Sequence, residues 1–329
     1  MSVRLSDVAQ AAGVSVGTVS KALGSSNDVS MATRDRLRAL AAEMGYRPNG
    51  NARRLRSGYS RTVGMLTSDS VGRFSTPVLL GAGDAVGAEG MSVLLCDSRG
   101  DDIRKRHHLH TLLEHGIDGL ITLASTTDDQ PSLGDIGVPV VYAYGASTDP
   151  ADFSVVPDED AGAATAVEHL LALGRRRIAH VTGPVDFAAT RRRAAAVERT
   201  LTAQGLQLVP PGPLLGDWTE QWGRVATDMV LRAGEVDAVF CGSDAIARGV
   251  TDALRDRGLR IPQDVAVVGY DNWEAMTTGS RPPLTSIDPD LEAVGQTAAR
   301  ALLEAVQGTP RAGVQRLPTR LVLRESTLG

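Results

Sequence analysis

Residues 7–23 read DVAQAAGVSVGTVSKAL, two short amphipathic runs separated by a glycine. Extended back to Leu5, the first run places Leu5, Val8, Ala9 and Ala12 on one helical stripe. Gly13 then supplies the positive φ of a tight turn. Ser15 is an N-cap for a second helix, Val16 to Leu23, whose Val19, Ala22 and Leu23 face back toward the first. Helix, glycine turn and helix at this spacing make a helix-turn-helix, which lays the start of its second helix against base edges in a major groove. The DNA-facing candidates are therefore Ser15, Val16, Gly17, Thr18, Ser20 and Lys21. Val16 and Gly17 bring no side-chain hydrogen bonds, so readout there is apolar contact with thymine methyls or close approach, while Lys21 donates to guanine or phosphate.

A third helix, Ser30 to Met44, carries Leu37, Leu40, Ala41 and Met44 as its packing stripe. Beyond it, Pro48 and Gly50 punctuate the chain, and Asn49 to Arg56 allows only about two helical turns, too few to persist alone in water. Charge divides at the same place. Residues 1–61 hold 10 Lys+Arg against 4 Asp+Glu, net +6, and the remainder 24 against 35, net −11, within a 329-residue chain of formal charge −5. A basic head on an acidic body is expected when one part neutralises phosphates and the other must avoid polyanions.

The ordered segments DVAQAAGVSVGTVSKAL, VSMATRDRLRALAAEMGYRPN and ARRLRSG resemble the DNA-binding head of the lactose-repressor (LacI/GalR) family. The resemblance implies that Asn49 to Arg56 is a hinge helix that folds in the minor groove when two subunits occupy a palindromic operator, adding Asn49, Ala52, Arg53 and an intercalating Leu55 to the DNA contacts. Wedging two leucines into a base step spends a few kcal/mol, roughly, on unstacking and recovers it from bent DNA that touches more protein. Gly24 and Asp28 depart from the family pattern, the latter weakening a phosphate contact.

From Arg61 onward, apolar runs (TVGML, SVLLCDS, GLITLAS, VPVVYAY, FSVVPD, RIAHVTG, PGPLLGDW, VDAVFCGSD, DVAVVGYD) alternate with helical patterns. Repeated βα units imply parallel sheets whose ligands bind at the carboxyl ends of the strands. The segments VEHLLALGRRRIAHVTGP, DAVFCGSDAIARGV, GLRIPQDVAVVGYDN and PPLTSID are similar to the family's periplasmic-binding-protein-like core. The fold class expected is thus an α/β chain: an all-α helix-turn-helix head, residues 1–48; a hinge and linker, 49–61; and a two-subdomain core, 62–329. The resemblance implies that the chain crosses between subdomains near Asp158 to Gly162, Asp288 and Pro318, giving an N-subdomain of about 62–158 and 289–317 and a C-subdomain of about 162–287 and 319–329.

Pocket candidates lie where strands end: Ser68, Phe74, Tyr144, Arg193, Trp218, Ser243 and Asp271. Aromatic faces edged by Arg and Asp suit a polyhydroxylated small molecule, a sugar or nucleoside. Matching residues in the family imply that Arg193 and Asp271 hold the effector while Phe74 and Trp218 stack on it. Trp273 reads more readily as core, and Arg191 and Arg192 as a solvated helix face.

Other chemistry is not indicated. Cys96 and Cys241 have no metal or disulfide spacing, and the histidines of RKRHHLHTLLEH lack completing ligands, so no metal, cofactor or catalytic residue is expected. GAGDAVGAEG is glycine-rich but sits in a helical stretch that does not directly follow a strand. With no apolar segment of membrane-spanning length and no leader pattern, a cytoplasmic, membrane-free setting is expected. The expectation is a homodimeric transcriptional regulator, a repressor, that binds a pseudo-palindromic double-stranded operator under control of an effector. The alternative is a solute-binding transport protein, disfavoured by the basic N-terminal helices.

Overall fold

The structure is a computed structural model and describes residues 3–23, 28–46, 59–69 and 72–328. Asn49, Ala52, Arg53 and Leu55, the linker candidates, lie outside the described residues. The chain forms two compact units, residues 1–60 and 61–329.

In the first unit, α1 (Leu5–Ala12), α2 (Val16–Leu23) and α3 (Met31–Glu43) close on a small core of Val8, Ala9, Val19, Ala22, Leu37 and Ala41. Gly13 turns the chain at φ 66°, in the left-handed region, and the next amide, Val14 N–H, donates to Ala9 at 3.1 Å. Ser15 Oγ accepts from Thr18 N–H at 3.1 Å, and Ser30 Oγ from Thr33 N–H at 3.3 Å, so both serines act as N-caps. Leu40 departs from its expected place and is half-buried outside the cluster, while Tyr46 packs against it. Leu37, Ala41 and Met44 follow the four-then-three spacing that keeps a stripe narrow, and Leu40 falls beside it.

In the second unit the strands, in chain order, are β1 (Thr62–Thr67), β2 (Ser92–Asp97), β3 (Gly119–Leu123), β4 (Val140–Ala143), β5 (Phe153–Pro157), β6 (Ile178–Thr182), β7 (Leu214–Leu215), β8 (Ala238–Cys241), β9 (Ala266–Tyr270), β10 (Thr285–Asp288), β11 (Gly313–Leu317) and β12 (Arg320–Val322). They pair into two six-stranded sheets, ordered β11-β5-β4-β3-β1-β2 and β12-β10-β9-β8-β6-β7. The chain therefore passes to the second sheet after Pro157, returns to the first after Asp288, and leaves it again between Leu317 and Arg320. The second sheet is not wholly parallel, because β12 runs antiparallel to β10. The run PGPLLGDW yields only the two residues of β7, since Pro211 and Pro213 have no N–H for a ladder.

Each sheet is covered on both faces, as parallel sheets require. The helices are α4 (Ser75–Ala88), α5 (Asp102–Glu114), α6 (Glu159–Ala172), α7 (Ala188–Thr202), α8 (Glu220–Ala233), α9 (Asp244–Asp256), the single turn α10 (Glu274–Thr277) and α11 (Leu291–Val306). One device recurs in both subdomains. Gly81 of α4 lies against the Glu292 carbonyl of α11 and Gly295 of α11 against the Val78 carbonyl, while Gly223 of α8 and Gly249 of α9 meet the carbonyls of Ile246 and Glu220 in the same reciprocal way. A Cβ at any of the four would overlap a carbonyl oxygen, so the first glycine of GAGDAVGAEG, Gly81, serves a helix crossing.

His180, within β6, is fully buried, stacks on Phe240 at 5.0 Å, and its Nδ1 pairs with the Phe240 carbonyl at 3.0 Å. Burial pushes its pKa down to about 4, against the hydrogen bond that favours the charged form. The folded state therefore holds this ring neutral while an unfolded chain takes up a proton below its ordinary value. Stability from this residue is complete above about pH 6.5 and is lost as the pH falls toward 4, by about 3 kcal/mol in all. Denaturant midpoints measured from pH 7 to 4 are expected to fall less steeply for His180→Leu than for the wild type; parallel slopes would show that the ring does not titrate on unfolding.

Candidate functional site

In the head, the start of α2 points outward. Val16 is 46% exposed, Ser15, Gly17 and Lys21 are exposed, and Thr18 and Ser20 are half-buried. Ser15 Oγ and Thr18 Oγ1 also bond each other at 2.9 Å, so the first turn is held by its own side chains. Lys21 Nζ pairs with Asp28 at 3.1 Å in an exposed bridge, worth little in water. The departure at Asp28 thus falls on Lys21, an exposed lysine of α2.

In the core, the strands' carboxyl ends converge on a cleft between the two sheets. Tyr144 follows β4, and Asp271, Asn272 and Trp273 follow β9. Three of these have positive φ, 71° at Tyr144, 102° at Asp271 and 49° at Asn272. Hydrogen bonds hold them there: Tyr144 N–H to the Val155 carbonyl at 2.9 Å, Asp271 N–H to that of Ile287 at 2.8 Å, and Asn272 N–H to Ser286 Oγ at 3.0 Å. Left-handed backbone at non-glycine residues costs about 1–3 kcal/mol each and persists where the surroundings enforce it, commonly at ligand sites. Phe74 stacks on Tyr144 with centroids 4.8 Å apart. Arg73 extends from the first subdomain to pair with Asp271 of the second, its guanidinium 4.8 Å from both the Phe74 and Trp273 rings. Asp128 makes a second bridge, accepting from Ala188 N–H at the start of α7 at 2.6 Å. A cavity of about 560 Å³ opens beside Arg73, Phe74, Asp271 and Trp273 and extends to Asp288 and Arg320 at the crossings.

Arg193 is already engaged. Only 3% exposed, it bonds both oxygens of Glu159, with Nη2 to Oε1 at 3.0 Å, donates to the Gly242 carbonyl, and lies 3.4 Å over the Tyr270 ring. Burial opposes its charge most strongly, but Glu159, with Tyr270 and Tyr144 adding to it, leaves its pKa raised. Burial also raises Tyr144, with Glu159 adding to it, so both rings near this pair stay protonated. Asp244 is pushed up to about 7 by burial, although Ser286 Oγ and Trp273 N–H both donate to its carboxylate.

Phe74, Tyr144 and Asp271 are thus brought together, with Arg193 close behind. Trp218 packs on Gly183 at the end of β6 and meets Phe187 edge-on at 5.9 Å. Ser243 Oγ is turned to capping α9, accepting from Ile246 N–H at 3.3 Å, and Ser68 is half-buried just beyond β1. Trp273, which reads as core, instead lines the cavity over Arg73. Arg191 curls back onto the carbonyls of Val185 and Asp186 rather than simply facing water. Arg73 and Glu159 escape sequence reading; the one available signal is an arginine directly beside the aromatic of GRFSTP.

A helix-turn-helix head joined to a two-sheet, ligand-type core defines a DNA-binding regulator with a small-molecule cleft. Residues 4–49 match the family model for bacterial regulatory proteins of the lacI family, and 167–327 that of a periplasmic binding protein-like domain. The chain is 33% identical to the ribose operon repressor of Escherichia coli K12, covering 98% of each. Among solved structures it is similar to the lac repressor dimer bound to operator and the anti-inducer ONPF (TM-score 0.84, 31% identity, 100% of both chains) and to a complex of the regulator CelR with cellobiose (TM-score 0.70, 32% identity, 98% and 99%). The chain belongs to the LacI family of bacterial regulatory proteins, DNA-binding transcriptional regulators with an effector-binding core. Among the described residues no helix is long and apolar enough to cross a membrane.

The Glu159–Arg193 pair sets a test of the site's construction. Breaking one partner of a buried pair costs about 3–5 kcal/mol, whereas replacing both with apolar groups of similar volume is near neutral. Glu159→Leu and Arg193→Met are each expected to lower stability strongly in urea titrations, and the double variant to recover most of it. Additive losses would mean that the two residues do not depend on each other.

Proposed function

We propose that the protein is a dimeric repressor whose residues 1–48 read a pseudo-palindromic operator, whose residues 49–61 form the folding hinge, and whose core, 62–329, binds a sugar or nucleoside and controls the hinge. The observation that carries this is the outward face of α2: a stable three-helix core leaves Val16, Gly17 and Lys21 to be spent on something outside it. Ser15, Thr18 and Ser20 position that face, and Asn49, Ala52, Arg53 and Leu55 extend it into the minor groove. The relatives are transcriptional regulators, which supports a non-enzymatic, cytoplasmic role.

Ser68, Phe74, Tyr144, Arg193, Trp218, Ser243 and Asp271 are proposed as the effector's surroundings, Ser243 through the helix it caps. The relatives' solved complexes support a small molecule in such a core, ONPF for the lac repressor and cellobiose for CelR. Pairing with a second copy is supported by exposed apolar side chains on adjoining elements, Leu80 on α4 and Leu94 and Leu95 on β2.

In gel shifts against DNA upstream of its own gene, the full chain is expected to bind and the chain lacking residues 1–60 not to. Leu55→Ala is expected to weaken operator binding about tenfold or more without altering ligand binding. A sugar or nucleoside that shifts operator affinity about 5- to 150-fold in the wild type should do nothing in Asp271→Ala. Retained DNA binding after the deletion would refute the proposal.

A further inference from the structure

The cleft's central cation is neutralised by a group that the effector is expected to need. Arg73 is 17% exposed in its side chain; it pairs with Asp271 through Nη2, and its Nε is buried without an acceptor. Asp69, Asp244 and Glu159 are committed elsewhere, while Glu274, Asp288, Asp290 and Glu292 line the cavity beside Arg73 together with Arg320. Asp69 accepts from Phe74 and Ser75 N–H at 2.7 and 2.8 Å, Asp244 from Ser286 and Trp273, and Glu159 holds Arg193. Burial lowers the Arg73 pKa, with Tyr144 and Asp244 opposing that, so the cation depends on the partner it holds.

The guanidinium sits in the slot between Phe74 and Trp273, where a sugar ring would stack, and on Asp271, where ring hydroxyls would donate. A ligand entering this slot takes Asp271 away from Arg73. The cation is then left in a water-poor place, beside aromatic faces and an Nε already lacking an acceptor. Sugar hydroxyls are weak acceptors for such a group, whereas a carboxylate or phosphate accepts two guanidinium N–H bonds side by side.

We propose that the effector is a sugar bearing an anionic group, carboxylate or phosphate, which replaces Asp271 on Arg73 and frees Asp271 for the ring hydroxyls. Arg73 is then the residue that sets ligand class. The proposal rests on the reading above that this cleft takes a sugar. It requires that the pairing across the cleft be exchanged rather than simply broken, because the incoming charge substitutes for the outgoing one.

The test is calorimetric titration of the full-length protein with matched pairs: glucose against glucuronate, gluconate and glucose 6-phosphate; galactose against galacturonate; ribose against ribose 5-phosphate. At least one anionic member is expected to bind about tenfold or more tightly than its neutral parent, and the responding arm tells carboxylate from phosphate. Arg73→Leu is expected to bring that ratio to about one. Should Arg73→Leu not fold, Arg73→Lys carries the test, its ratio falling severalfold because an ammonium lacks the paired donors. Neutral parents binding at least as tightly as the anions, or an unchanged ratio in the variant, overturns the proposal. Neutral sugars that bind and are lost in Asp271→Ala sink it while leaving the cleft reading intact; no saturable binding by any member at millimolar concentration sinks it together with the sugar half of that reading.

Discussion

Parallel strands must all end on the same edge of a sheet, and the polar ends of two such sheets here face one another. The three crossings, after β5, β10 and β11, tie the sheets together while their carboxyl ends border the cleft. Backbone that has just left a strand has lost its ladder partners, yet at the cleft it lies partly out of water. The chain satisfies these groups by turning sharply and reaching across, which is why Tyr144, Asp271 and Asn272 sit at positive φ and bond to the neighbouring strand. The same residues are thereby held in one backbone geometry at the edge of the cleft.

Two arginines, Arg193 buried and Arg73 half-buried, sit near this edge and do different jobs. Arg193 and Glu159 both belong to helices of the second subdomain, α7 and α6, so their pairing is indifferent to how widely the cleft opens. Arg73 and Asp271 come from opposite subdomains, so theirs exists only while the two edges are together. The Asp128 contact to the Ala188 amide has the same dependence, and it places a carboxylate at the start of α7, where the helix dipole favours negative charge. One pair thus maintains the subdomain, and the others report its position relative to its neighbour.

Much of this was legible in the sequence because it depends on local rules. The caps at Ser15 and Ser30, the turn at Gly13, and the apolar runs of β1, β3, β6, β8 and β9 each follow from short patterns that need no knowledge of the fold. Illegible features are those decided by distant partners. Glu159 reads as an ordinary acidic helix start and is buried because Arg193 lies opposite it. Trp273 carries nothing that tells core from cleft until Arg73 is laid against it. The strand β11 alternates half-buried and exposed residues at a sheet edge, and β12 is only three residues long, so neither gives the strong apolar run that marks a buried strand.

The cleft and the chain's exit toward the linker share one rigid element. Strand β1 is anchored at its start, where Arg61 N–H donates to Asp118 at 2.7 Å, and at its end runs into Ser68, Asp69 and then Arg73. Six strand residues span about 20 Å, and β1 is hydrogen-bonded on both sides, to β2 and β3. Such a strand does not stretch, so a rearrangement of the Arg73 loop moves with the sheet rather than being absorbed along the way. A ligand biases this movement only by the difference in its affinity for the two arrangements. Contacts confined to one subdomain, such as that of Arg193 with Glu159, are the same in both arrangements and add nothing to that difference. The pairing of Arg73 with Asp271, by contrast, is made by both subdomains at once, so it depends on their relative position where the Arg193–Glu159 pair does not.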